Sequence, residues 1–103
     1  MTLEETAAGL EALGNPTRLA VYRLLVRAGP EGLAVGALQA KTKVPHSTLS
    51  HHLHRLIAVR LVEQERQGTT LICRANYKTM DRVIAFLTEE CCADAETAGE
   101  NAA

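Results

Sequence analysis

Apolar residues recur along this chain at two different spacings. Leu3, Ala7, Leu10 and Leu13 stand three or four residues apart, which predicts an amphipathic helix over 3–13 closed by Gly14. Asn15-Pro16 opens a second helix over 16–28. Asn15 accepts backbone N–H groups there, and Pro16 stands where no N–H is needed. Leu19, Tyr22, Leu25 and Val26 are its expected core. After Gly29-Pro30 and Gly32, Val35 and Leu38 mark a short helix over 34–41, and Thr42–Val44 forms a turn. A longer helix opens near Pro45, with Leu49, Leu53, Leu56 and Ile57 on one stripe. The spacing then changes to strand-like runs at 61–66 and 69–74 around Gln67-Gly68, a β-hairpin. Helical spacing returns over 76–90 with Met80, Val83, Ile84 and Leu87, and Cys91 extends that stripe.

The fold class implied is mainly α with a small β-hairpin. Two helices over 34–58, followed by a hairpin over 61–74, have the order of a winged helix-turn-helix in a single domain, 1–92. The second helix of that motif carries Ser47, Ser50, His51 and His54 opposite its apolar stripe. These are compact donors and acceptors with no carboxylate among them, suited to base edges in a DNA groove. His46, Ser47, Thr48, Ser50, His51, His54 and Arg55 are the candidate contacts on the helix, with Arg66 and Gln67 at the hairpin tip. His52, at the edge of the stripe, reads as a structural histidine. The helices over 3–13 and 76–90 exceed what a minimal winged helix needs. Packing them against a second copy makes a homodimer with two reading helices on one side of double-stranded DNA, and hence a pseudo-palindromic operator.

Charge sharpens this picture. The net charge is −1, yet residues 40–82 carry eight Lys and Arg against three carboxylates, a net of +5 with all four histidines in addition. Residues 83–103 carry five carboxylates and no cation. The middle of the chain is suited to phosphates, and the small, acidic stretch 93–103 reads as a disordered tail. No apolar run is long enough to cross a membrane, and MTLEETAAGL lacks the basic start and apolar stretch of a secretory signal, so a cytoplasmic protein is expected. No Cys-x-x-Cys, phosphate-binding loop or nucleophile–base pair is present, so no enzyme is expected.

The runs ALGNPTRLAVYRLL and STLSHHLHRLIAVRLVEQERQGTTLICRANY resemble the ArsR/SmtB family of metal- and metalloid-responsive repressors over roughly residues 5–92. The resemblance implies a homodimer that holds its operator until an inducer binds. Family members differ in where they sense. At the positions of the Cys-Val-Cys arsenic site this chain has Ala34, Val35 and Gly36. Over Tyr77–Glu90, where zinc sensors carry histidine, it has none. The ending AFLTEECC is similar to the branch with C-terminal vicinal cysteines that bind trivalent arsenic.

Three cysteines, Cys73, Cys91 and Cys92, are the candidate ligands. Soft trivalent arsenic takes thiolates, three for arsenite and two for methylarsenite, whereas zinc takes four ligands. Cys73 and Cys91 flank the last helix, about fifteen residues at ~1.5 Å each, too far apart to share one atom within a straight chain. A site shared between subunits, or else a folded-back tail, is therefore expected, unless Cys91 and Cys92 suffice alone. The expected function is a repressor of arsenic-resistance genes released by methylarsenite or arsenite. The alternative is a thiol-based redox or persulfide-responsive repressor on the same scaffold.

Overall fold

A computed structural model describes residues 1–95. Five helices surround a three-stranded antiparallel sheet in the order α1 (Leu3–Leu13), α2 (Pro16–Ala28), β1 (Leu33–Ala34), α3 (Val35–Thr42), α4 (His46–Ala58), β2 (Val62–Gln67), β3 (Thr70–Ala75) and α5 (Tyr77–Thr88). No helix among the described residues is long and apolar enough to cross a membrane.

Local chemistry sets the helix starts. Thr2 and Glu5 cap α1 reciprocally, each side chain bonding the other's backbone N–H at 3.0 and 2.8 Å. The Asn15 side chain accepts from the N–H groups of Thr17 and Arg18, and Asn76 does the same for Thr79. Lys43 takes a left-handed conformation, φ 59°, that ends α3 and turns the chain into α4.

The core forms where α2, α3 and α4 meet the sheet. Val21, Leu25, Leu38, Leu49, Leu53, Leu56 and Leu61 are fully buried. Leu49, Leu53 and Leu56 are the stripe expected on α4, so its opposite face is left outward. On α2 the buried positions are Arg18, Val21, Tyr22 and Leu25. Leu19, expected in the core, is exposed, because the helix turns Val21 inward instead. On α1 the inward face is Thr6, Gly9 and Ala12, while Leu3 and Leu10 face out. Small residues on that inner face let α1 approach closely: a Cβ on Gly9 would lie 3.5 Å from Val83 of α5.

Two features depart from expectation. The two-residue strand β1 pairs with β3, Leu33 opposite Cys73 and Ala34 opposite Ile72, so the sheet runs β1-β3-β2 rather than being a bare hairpin. Two residues are too short for a strand pattern to register in sequence. In the hairpin, Gln67 pairs with Thr70, so the turn residues are Gly68 and Thr69, one position later than expected. Gly68 at φ 64° supplies the left-handed conformation that such a turn requires. The acidic tail expected from residue 93 lies outside the described residues from 96 onward; residues 93–95 continue a turn after α5.

Candidate nucleic-acid interface

The outward face of α4 is polar and accessible. His46, Ser47, Thr48, His51 and His54 are exposed, and Ser50 is half-buried. Pro45 precedes the helix, no side chain caps it, and its first turn holds no acidic residue. The N–H groups of that turn are therefore free to receive a phosphate, favoured by the positive end of the helix dipole. His46, Ser50 and His54 stand at i, i+4, i+8 and line one wall of a groove. Gln64 and Thr70 of the wing and Gln39 of α3 also line it, beside apolar Val35, Leu53 and Leu71. Helix and wing thus both contribute hydrogen-bonding side chains to one groove.

At the wing tip Arg66 and Gln67 are exposed. The base of the wing is braced. Glu65 receives Arg74 at 2.7 Å, and Arg74 also donates to the Pro30 carbonyl at 2.9 Å. The Arg74 bond, with a second from Gln67, holds the Glu65 carboxyl below its ordinary range. Arg66 takes part in no ion pair among the described residues, which leaves its charge free for a phosphate or a minor groove.

Arg55 differs from the other helix candidates. Its guanidinium bonds Glu11 of α1 at 2.7 Å. Glu11 also lies 3.7 Å from Arg18, whose buried Nε donates to the Ala12 carbonyl at 2.7 Å. One exposed carboxylate therefore ties α1 to both α2 and α4, and Arg55 is occupied inside the protomer. Residue spacing does not reveal this link, since Glu11 and Arg55 lie 44 residues apart. His52 is half-buried beside the core, as expected, and its Nδ1 has no partner. Desolvation, helped by the charges of Arg18, His51 and Arg55, pushes its pKa down.

The cysteines fall into two environments. Cys73 is fully buried at the centre of β3, where the Gln64 amide donates to its sulfur at 3.4 Å. Burial pushes this thiol up, away from the thiolate form. Cys91 and Cys92 are exposed in the turn after α5, with their sulfurs 3.6 Å apart. Cys92 sits at φ 64°, a left-handed residue that bends the chain there. Among the described residues no three His, Cys, Asp or Glu side chains come together as a metal site, so Cys73 does not join the vicinal pair within one chain.

The comparisons with known proteins agree with this architecture. A family model described as a helix-turn-helix domain matches residues 13–65. The nodulation protein NolR of Rhizobium meliloti is 36% identical over 86 residues, covering 82% of this chain and 68% of that protein. An ArsR-like transcriptional regulator from Rhodococcus sp. RHA1 superposes with a TM-score of 0.75 at 25% identity, over 90% of this chain and 84% of that one. A homodimeric winged helix-turn-helix DNA-binding domain from Mycobacterium bovis, a possible ArsR-family regulator, superposes with a TM-score of 0.69 at 27% identity, over 86% of this chain and 82% of that one.

Proposed function

We propose a function from one premise: the chain belongs to the helix-turn-helix family matched over residues 13–65, and its structural relatives are ArsR-family transcriptional regulators. It is a homodimeric repressor that reads a pseudo-palindromic operator with α4 and the wing. A trivalent arsenical held by Cys91 and Cys92 releases it. Ser47, Ser50, His51 and His54 meet base edges; His46, Thr48, Arg66 and Gln67 meet the backbone or the adjacent groove. Arg55 serves the fold through Glu11 rather than the DNA.

The observation that carries the inducer reading is the vicinal thiol pair. Two exposed sulfurs 3.6 Å apart lie within reach of a single soft centre bonded to each at ~2.3 Å, the usual metal–thiolate length. A ligand needing two sulfurs, such as methylarsenite, is satisfied by this pair without Cys73, whose burial keeps it apart. Condensation of two thiols with methylarsenite expels two waters, so no reductant or oxidant is needed. The pair sits at the end of α5, the helix whose exposed apolar face is suited to pack against a second copy. A ligand there acts on DNA affinity only by favouring one dimer arrangement over another.

Native mass spectrometry of the reduced protein with methylarsenite tests the inducer site. One arsenic per chain is expected for wild type and Cys73→Ser, and none for Cys91→Ser or Cys92→Ser. Loss of binding in Cys73→Ser, with its fold intact by circular dichroism, would return Cys73 to the site and make it shared between subunits. A mass gain of one sulfur per chain from a persulfide donor, with no arsenic uptake, would favour the redox alternative.

A further inference from the structure

The exposed side of α1, α2 and α5 forms an apolar groove lined by Leu10, Leu19, Val26, Met80, Ile84 and Leu87. Arg23 and Arg27, one turn apart on α2, also line it, and no carboxylate does. Neither arginine takes part in an ion pair among the described residues. Tyr22 lines the same groove. It is 4% exposed, and its buried hydroxyl has no hydrogen-bond partner among the described residues. Burial pushes this phenol up to about 12, with the charges of Tyr77 and Asp81 adding to the effect, so the hydroxyl remains a donor. Two guanidiniums and an unpartnered O–H at one end of an apolar groove make a receptor for carboxylates.

The chain itself carries the matching group. The end of α5 and the turn after it present Glu89, Glu90 and Asp94, all exposed and in no ion pair among the described residues. Two-fold packing brings that end to the receptor. Tyr77, the first residue of α5, donates its hydroxyl to the Val26 carbonyl at 3.2 Å, so the start of α5 lies beside the half of α2 that bears Arg23 and Arg27. The apolar positions that α5 contributes to the groove, Met80, Ile84 and Leu87 among them, centre on Ile84. If two α5 helices pack antiparallel about that residue, position 77 of one chain stands opposite position 91 of the other. Glu89 and Glu90 of one copy then arrive beside Tyr22, Arg23 and Arg27 of the other.

We propose that Tyr22, Arg23 and Arg27 form a receptor for Glu89 and Glu90 of a second copy, seating the Cys91–Cys92 pair at the subunit boundary. This rests on the homodimer reading above and adds to it the residues that position the thiols. The sensor is then complete only in the dimer, and ligand binding at the thiols bears directly on the subunit contact.

Charge reversal tests this. The wild type, Arg23→Glu with Arg27→Glu, Glu89→Lys with Glu90→Lys, and the fourfold combination are compared by sedimentation equilibrium at low salt. Circular dichroism of the same samples serves as a fold control. Each double variant should weaken dimerisation about tenfold or more, and the combination should recover most of the loss. Tyr22→Phe should weaken the dimer while leaving the fold intact. Double variants that dimerise like wild type, or a fourfold variant that remains as weak as either, would overturn the receptor while leaving the homodimer standing. A wild type that stays monomeric would remove the homodimer reading itself.

Discussion

Single positions carry two kinds of constraint here, packing and backbone conformation. Leu53 is 1% exposed where α4 meets the core, so Leu53→Ala should lower unfolding free energy by about 2–5 kcal/mol in a urea titration. Gly32 adopts φ 70°, ψ −165°, a region open essentially to glycine alone, and a Cβ there would collide with the Cys73 carbonyl. Gly32→Ala should therefore cost about 2 kcal/mol or more and loosen β1 from β3, read as a lowered melting temperature. His52 gives a pH signature. Its pKa is depressed in the fold, so the unfolded chain binds more protons around the ordinary histidine value. Its contribution is intact above pH ~6.5 and is lost as the pH falls through the lower folded pKa. Urea midpoints should drop between pH 7.5 and 5, and His52→Gln should flatten part of that drop. An unchanged slope in His52→Gln would assign the acid sensitivity to other groups.

Among the elements, α4 and the wing meet the DNA through different chemistry in the proposed complex, and mutants should separate them. Arg66 is a free cation at the wing tip, so Arg66→Ala should weaken specific and nonspecific binding alike and reduce the salt slope by about 1. His51→Ala, on the outward face of α4, should cost about 1–3 kcal/mol on the operator and little on random DNA. Equal losses on both DNAs for His51→Ala would move that residue to the backbone. The helices were legible because each repeats its apolar positions over several turns, and Asn15-Pro16 and Gly14 mark their ends. The starts of α1 and α2, at Leu3 and Pro16, fall where the pattern puts them. The strand β1 was not legible, since its two residues take their conformation from β3 rather than from any pattern of their own. Which side of α1 and α2 faces inward was only partly legible. Both helices have apolar residues on two sides, and Leu10 and Leu19 turn out to lie on the outer one. The role of Arg55 could not be read from spacing, because its partner Glu11 is brought in by the packing of α1 on α4. For the cysteines, the separation of Cys73 from Cys91 follows from the length of α5, whereas the full burial of Cys73 comes from its place in the core cluster with residues of α2, α3 and α4.

For the whole molecule, the remaining exposed apolar surface matters most. Ile84 and Leu87 are 53% and 59% exposed and adjoin Leu10 and Leu19 across one groove. A patch of this kind on so small a domain marks a contact surface. Ile84→Asp with Leu87→Asp should give a folded monomer by sedimentation velocity. Its affinity for the full operator should fall well below that of the dimer, because a monomer engages only one half-site. Retained dimerisation in that variant would place the subunit contact elsewhere. The central claim, a DNA-bound dimer released through Cys91 and Cys92, is tested most directly by fluorescence anisotropy. The reduced protein would be bound to its own promoter fragment and titrated with methylarsenite, with Cys91→Ser in parallel. The account predicts tight binding by both proteins, release of the wild type at stoichiometric arsenical, and no release of the variant. Release of both proteins alike, or of neither, would contradict it.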